Sequence, residues 1–191
     1  MPSILISDVI KCSDEVFERL AKRRADLERY AFTINHLAKV NVQLDFAYQR
    51  TFNALYGVRR NAEWRRAFYQ ILEQRKGSPD IRFPEIVREL FERTGRVEAS
   101  FASKLVATID PTRAIYDSVV RANLGLPNRT SAGHAKIAEV SYDYDAIQTH
   151  LDALVASAKF QELRRRFDRE FPDFTEFADL KVLDFLIWQM R

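Results

Sequence analysis

Residues whose types and spacing can carry chemistry lie in the segment FASKLVATIDPTRAIYDSVVRANLGLP, residues 101–127. Lys104 stands near the predicted start of a short helix, and a lysine amine is a nucleophile when it is neutral. Asp117 follows a turn through an Asp-Pro pair and precedes a second short helix. A carboxylate in that position can stabilise a developing positive charge or activate a nucleophile. The alternative is structural, in which Asp117 only caps its helix and Lys104 is a surface residue.

A second group of polar residues precedes this segment. Gln49, Asn53 and Tyr56 stand at i, i+4 and i+7, on one face of a predicted helix, and Arg59 and Arg60 follow directly. Amides that bond a base edge beside a stacking ring, with basic residues nearby, suit a flipped nucleotide. In the alternative interpretation, Tyr56 is a core aromatic and the two amides face water. The pattern is compatible with both interpretations.

Helices must position these residues, because alternating strand patterns are scarce and apolar residues recur at helical spacing. The predicted helices cover about 13–29, 33–56, 62–76, 84–94, 98–108 and 118–124, followed by three or four more from about residue 130. Residues that favour helix limits stand at several of these ends: Ser13, Gly57, Asn61, Gly77, Pro84, Gly95 and Asp117. The strongly apolar last helix, TEFADLKVLDFLIWQM, is expected to dock into the core. The predicted fold class is all-α.

Length and composition predict one folded domain over residues 1–191, with two small helical lobes and a cleft near 95–125 as an alternative. Hydrophobic residues make up 47% of the chain and can form a core, and charged residues make up 30% and keep the protein soluble. The net charge is only +3, but the basic residues cluster in short runs. Such runs are usually solvated helix faces, and they can also form patches that contact phosphate.

Several classes of function lack their sequence signals. The common glycine-rich phosphate loops are missing, and the three histidines form no zinc-binding pair, so we predict no cofactor and no metal. The single cysteine, Cys12, cannot form an intramolecular disulfide. No apolar run is long enough to cross a bilayer, and the N-terminus does not resemble a secretion signal. We therefore expect a cytoplasmic protein that does not bind a membrane.

The order of residues in the segment 101–127 resembles that of the helix-hairpin-helix DNA glycosylases, in particular the branch that acts on 8-oxoguanine. Family members have a motif of the form P-V-D-T-H-V-x-R-V-x-x-R-L-G-L around a functional aspartate. The chain has AIYDSVVRANLGLP at this place. The residues in matching order are Asp117, Val120, Arg121, Leu124, Gly125 and Leu126. Lys104 corresponds to the lysine of the hairpin helix, and the match covers about 30 residues of the chain.

This resemblance implies a bundle of about 8–10 helices that acts as a monomer on double-stranded DNA and flips a nucleotide into a pocket. Asp117 would stabilise the positively charged sugar and activate the nucleophile, which is either water or the Lys104 amine. Attack by Lys104 would add a strand-nicking (AP-lyase) step. The resemblance leaves two classes of released base: an oxidised purine or a hypermodified base of phage DNA. The corresponding roles are DNA repair and defence against phage.

The chain departs from the family in two ways. The Gly-x-Gly hairpin that contacts DNA phosphate is replaced by residues 98–103, EASFAS, and the interval between Lys104 and Asp117 is shorter than usual. Ser100 and Ser103 can still offer hydroxyl and backbone donors at the helix start. Together with Arg59, Arg60 and Arg121, they form the predicted DNA-binding set.

Three functions follow as hypotheses. The first is a DNA glycosylase with Lys104 and Asp117 as catalytic residues and a base pocket of Gln49, Asn53 and Tyr56. The second is a non-catalytic helical DNA-binding module on the same scaffold, which the missing Gly-x-Gly favours. The third is a helical protein-interaction module without a role in DNA.

Overall fold

The computed structural model describes residues 4–190, and within them the fold is all-helical, which confirms the predicted class. The described residues form eleven α-helices, more than the predicted 8–10, and one short 3-10 turn at Pro172–Phe174. The helices are α1 (Ile4–Lys11), α2 (Ser13–Lys22), α3 (Arg24–Leu37), α4 (Phe46–Tyr56), α5 (Ala62–Arg75), α6 (Phe83–Thr94), α7 (Ala99–Ile109), α8 (Ser118–Asn123), α9 (Gly133–Val155), α10 (Ala158–Glu170) and α11 (Asp179–Trp188).

Two long predicted helices are wrong, because each is interrupted. The helix predicted over 13–29 breaks at Arg23, and the residue that precedes α2 is Cys12, so Ser13 is a helical residue and not the cap. The helix predicted over 33–56 stops at Leu37 and restarts at α4. Asp45 causes this restart, since its side chain accepts a hydrogen bond of 2.8 Å from the backbone N–H of Tyr48. Residues 38–45 therefore form a loop.

Other helix limits are confirmed. Asn61 caps α5 by accepting a hydrogen bond of 2.9 Å from the Trp64 backbone N–H. Asp117 caps α8 by accepting one of 2.7 Å from the Val119 backbone N–H. Gly57 follows α4 in the left-handed conformation, at φ +62°. Caps of this kind depend on neighbouring residues alone, which is why the sequence predicts them well.

The left-handed conformation of Gly57 allows a stability prediction. We expect Gly57→Ala to lower the free energy of unfolding by about 1 kcal/mol, because an alanine is strained at positive φ. Gly77→Ala is the matched control, since Gly77 is not in this conformation and an added Cβ would also meet open space. Urea denaturation followed by circular dichroism measures both variants. Equal effects at the two positions would contradict the prediction.

The described residues divide into two compact units. One unit comprises residues 4–24, 111–128 and 142–190, and the other comprises 25–110 and 129–141. We call them the terminal unit and the central unit. Helix α9 belongs to the central unit up to residue 141 and to the terminal unit from residue 142. Each unit is thus built from segments that are distant in sequence.

In the central unit, α6 packs against both α5 and α7. Its core contains an aromatic cluster in which Phe52 lies 5.3 Å from Phe68 and 5.9 Å from Tyr69, measured between ring centroids. Trp64 stacks on Phe68 at 5.3 Å. These contacts join α4 and α5, and they fix the residues that α5 presents on its other faces.

In the terminal unit, α11 packs against α1, α2 and α10. The predicted apolar stripe of Leu183, Leu186 and Ile187 is buried, which confirms the docking of this helix. Lys181 and Asp184 are buried on the same helix and form an ion pair of 2.7 Å. No helix among residues 4–190 has the length and apolar character needed to cross a membrane.

Candidate functional site

A groove of about 830 Å³ runs along α4 and α5 in the central unit, and we call it the α4–α5 groove. Gln49 and Asn53 line it from α4, and Tyr69 and Gln70 line it from α5. The loop 38–45 contributes Gln43 and Leu44. Helical spacing places residues at i, i+3 and i+4 on one face, so each helix presents a row of side chains to the groove.

The loop at the edge of the groove is held in place by side chains. The Gln49 amide nitrogen donates to the carbonyl oxygens of Val42 and Gln43, both at 2.9 Å. From α5, the Glu73 carboxylate accepts from the Val42 backbone N–H at 2.8 Å. Lys76, which follows α5, donates to the Val40 carbonyl at 2.7 Å. The loop therefore has a defined conformation, and its exposed residues have defined positions.

Two of the residues at this edge are large, apolar and exposed. Leu44 is 72% exposed and Phe46 is 80% exposed, and both line the groove. Neighbouring exposed apolar residues, one on a fixed loop and one at the start of the helix that follows it, are typical of a binding surface. The aromatic ring of Phe46 offers a flat face to a ligand.

The groove is also strongly basic. Arg50 on α4 and Arg65 and Arg66 on α5 line it, and no acidic residue does so within the part of the chain that the structure describes. Among residues 4–190, none of these three arginines forms an ion pair. Uncompensated arginines beside exposed apolar groups attract an anionic ligand, since each guanidinium carries five N–H donors.

The amides predicted to bind a base are partly engaged within the protein. The Tyr69 hydroxyl bonds to the Asn53 amide oxygen at 2.8 Å and to the Gln49 carbonyl at 3.1 Å. Burial raises the pKa of Tyr69 above its ordinary value, and the nearby Arg65 acts in the opposite direction. The hydroxyl is therefore a neutral donor that orients the Asn53 amide. Because the Gln49 amide nitrogen bonds to the loop, Gln49 supports the groove wall.

Tyr56 lies away from the groove, although it shares a helix face with Gln49 and Asn53 in the sequence pattern. Its ring is buried at 4.8 Å from the ring of Phe52, measured between centroids. The Lys104 ammonium lies 5.8 Å from the Tyr56 ring centroid and 5.0 Å from that of Phe101. Aromatic faces at these distances attract a cation. Lys104 stands in the middle of α7, not near its start as the sequence analysis predicted.

The predicted DNA contacts lie at different places. Arg59 and Arg60 line a separate cavity in the central unit. Ser103 is fully buried and its hydroxyl donates to the Ser100 carbonyl at 3.0 Å, so this hydroxyl does not reach a phosphate. Ser100 itself is half-buried.

Asp117 and Arg121 belong to the terminal unit, whereas Lys104 belongs to the central unit. Asp117 is half-buried, and its carboxylate caps α8. Arg121 donates to the Pro127 carbonyl at 2.7 Å, and its guanidinium lies 5.1 Å from the Tyr116 ring centroid. Within residues 4–190, His, Cys, Asp and Glu side chains form no group of three or more that could hold a metal ion.

The sequence patterns do not indicate the most prominent groove residues, which are Leu44, Phe46, Arg50, Arg65 and Arg66. Arg65 and Arg66 are adjacent in the sequence, and nothing in the sequence distinguishes this pair from the other short runs of basic residues. Phe46 fell inside the helix predicted over 33–56, where an aromatic residue is normally buried. The signal in the sequence is Asp45, whose side chain caps α4 and so places Phe46 at a helix start beside a loop.

No protein-family model, curated protein or solved structure matches the chain at a significant level.

Proposed function

We propose that the protein binds nucleic acid, and that the α4–α5 groove holds a stretch of backbone with at least one unpaired base. One observation carries this proposal. Three arginines without ion pairs among the described residues line a groove that also contains the exposed ring of Phe46. Grooves that bind single strands combine positive charge along the backbone with aromatic rings that stack on bases.

Each part of the groove has a counterpart in such a ligand. Arg50, Arg65 and Arg66 match the negative phosphates, which supply most of the salt-dependent affinity. Phe46 provides a stacking face for a base. Asn53, oriented by the Tyr69 hydroxyl, presents its amide nitrogen as a donor to a base edge. The groove therefore offers neighbouring contacts to the phosphate, the face of the base and the edge of the base.

Binding at increasing salt tests the proposal. Fluorescence anisotropy is measured with labelled single-stranded and duplex oligonucleotides of the same sequence. We expect the logarithm of the association constant to fall linearly with the logarithm of the salt concentration, since phosphate contacts release counterions. We also expect the single strand to bind more tightly than the duplex, because a stacked ring needs an unpaired base. Binding no stronger than background at low salt would contradict the proposal and favour the protein-interaction module.

The exposed ring of Phe46 gives a sharper prediction. We expect Phe46→Ala to weaken single-strand binding about 5- to 100-fold, because stacking of one base on an aromatic ring contributes about 1–3 kcal/mol. Stability is expected to be unchanged, since the side chain is exposed.

Tyr142→Ala is the matched control for Phe46→Ala, because Tyr142 is a comparably exposed aromatic residue (72%) outside the groove. It is expected to leave affinity unchanged. If the two variants behave alike, Phe46 is not a stacking residue.

A DNA glycosylase is a second candidate function, supported by one specific observation. Asp117 stands at the N-cap of a short helix and is half-buried, as the resemblance to helix-hairpin-helix glycosylases implies for the functional aspartate. In this proposal the protein releases a damaged or modified base from DNA, with Asp117 stabilising the positively charged sugar. The nucleophile in this proposal is either water or the Lys104 amine.

Base release from a panel of oxidised, alkylated, deaminated and hypermodified DNAs tests this second candidate. We expect alkali-dependent strand breaks from at least one substrate, and loss of these breaks in Asp117→Asn with binding retained. Trapping of a covalent complex by borohydride, lost in Lys104→Ala, would instead support the Schiff-base route. No release from any substrate would leave nucleic-acid binding as the function.

A further inference from the structure

A second basic cavity lies in the central unit, at the turn that precedes α5. Its volume is about 340 Å³, which is at the small end of the range for ligand pockets. Four arginines line it, together with Trp64. These arginines are Arg59, Arg60, Arg93 and Arg96. We call it the Arg59 cavity.

Two of the four arginines are held in place by carboxylates. Arg60 forms an ion pair of 3.0 Å with Glu98, and its guanidinium lies 5.2 Å from the Phe101 ring centroid. Arg93 forms an ion pair of 2.6 Å with Glu89. An arginine fixed through one part of its fork keeps other N–H donors for a ligand. These pairs therefore orient two guanidinium groups at the cavity.

The other two arginines, Arg59 and Arg96, have no ion pair within the part of the chain that the structure describes. Both are exposed, so they are open to solvent at the cavity. Glu63 also lines the cavity and is exposed. The lining groups and the two anchoring carboxylates together carry four positive and three negative charges, a net charge of +1. Arg59 and Arg96 are the two guanidinium groups that no carboxylate among the described residues holds.

The Trp64 side chain forms part of the cavity wall. Trp64 is only 5% exposed, and its indole N–H is buried without an acceptor among the described residues. The Arg60 Nε is likewise buried and without an acceptor there. Both donors are closed off from solvent, so Trp64 and the Arg60 Nε belong to the wall of the cavity, and Arg59 and Arg96 supply its accessible donors.

We propose that the Arg59 cavity binds a phosphate monoester, either at the end of a nucleic-acid strand or on a free nucleotide. A monoester carries a charge of about −1.5 to −2 at neutral pH. Its three terminal oxygens can therefore accept from Arg59 and Arg96 at the same time, since both guanidinium groups are exposed at the cavity and form no ion pair among the described residues. A backbone diester has only two non-bridging oxygens, one fewer than the monoester, and it accepts from fewer of these donors. Use of a strand end rests on the proposed function, whereas the phosphate site itself does not.

Binding measurements with matched ligands separate the two sources. One arm compares single strands of the same sequence that end in a 5′-phosphate, a 3′-phosphate or a hydroxyl. A second arm uses adenosine 5′-monophosphate and inorganic phosphate without any strand. We expect a phosphorylated end to raise strand affinity about tenfold or more, because hydrogen bonds between charged groups are strong. Binding of the mononucleotide in the second arm, without preference for a phosphorylated end, would assign the site to a free nucleotide.

Variants at exposed positions locate the site. Arg59→Gln with Arg96→Gln is expected to abolish the preference for phosphate, since both charges are lost and neither residue supports the core. The groove variant Arg50→Gln, Arg65→Gln, Arg66→Gln is the matched control and is expected to keep the preference for phosphate while weakening strand binding. Phosphate binding that survives loss of Arg59 and Arg96 would overturn the proposal.

The indole N–H resonances give a direct readout, because the chain contains two tryptophans. We expect the Trp64 signal to shift as inorganic phosphate or adenosine 5′-monophosphate is added, and the Trp188 signal in the terminal unit to stay in place. The indole signal that disappears in Trp64→Phe belongs to Trp64, and the remaining signal belongs to Trp188. If neither probe shifts Trp64 and phosphorylated ends bring no gain, the proposal fails. This outcome is distinct from failure of the proposed function, which would appear as absent strand binding.

Discussion

Replacing Asp184 by alanine is expected to lower the free energy of unfolding by about 3–5 kcal/mol, because it leaves the buried Lys181 without its carboxylate. The two side chains are 6% and 3% exposed, and their ion pair measures 2.7 Å within α11. The Lys181 ammonium also lies 4.5 Å from the Phe185 ring centroid and 4.8 Å from that of Trp188. These rings attract the cation, but they do not replace a charged partner.

Two control variants show whether the loss comes from breaking this buried ion pair. Lys181→Met combined with Asp184→Leu removes both charges with similar volume, and it is expected to recover most of the stability. Glu176→Ala removes an exposed carboxylate of the same unit and is expected to change stability by less than about 0.5 kcal/mol. Urea denaturation followed by circular dichroism measures all variants. A loss below about 1 kcal/mol for Asp184→Ala would contradict the prediction.

Replacing the three groove arginines is expected to have the largest effect on function. Arg50→Gln, Arg65→Gln, Arg66→Gln should weaken single-strand binding about 100-fold or more, because each charged contact with phosphate contributes more than a neutral hydrogen bond. The slope of log affinity against log salt should become shallower by about 2, since each phosphate contact contributes about 0.7 for a single strand. Folding should be unaffected, as none of these arginines forms an ion pair among residues 4–190.

The control must remove the same charge elsewhere. Lys159, Arg165 and Arg169 are exposed on α10 in the terminal unit. Their triple replacement by glutamine lowers the net charge by the same amount, and it should leave the salt dependence nearly unchanged. If both triple variants lose affinity equally, binding depends on overall charge, and the α4–α5 groove is not the binding surface.

The sequence predicts those features that depend on neighbouring residues. Asn61 and Asp117 accept hydrogen bonds from backbone N–H groups a few residues away, so they mark helix starts without any tertiary contact. Gly57 and Gly95 mark helix ends because they adopt positive φ easily. The apolar stripe of α11 likewise predicts a buried helix. The all-α class follows from these local signals.

Tertiary contacts decide which face of a helix is buried and which is free to bind. Tyr56 and Asn53 share a helix face by spacing, yet Tyr56 packs against Phe52 whereas Asn53 lines the groove. Ser103 follows a pattern suited to a helix start but is buried in α7.

Phe46 is exposed at the start of α4, and Glu73 and Lys76, from a distant part of the sequence, hold the loop before it. By itself the sequence determined the helical class and many helix limits, because caps and periodicity act over a few residues. The groove and the Arg59 cavity were decided only by the tertiary structure. Their side chains come together through packing between segments that are far apart in the chain.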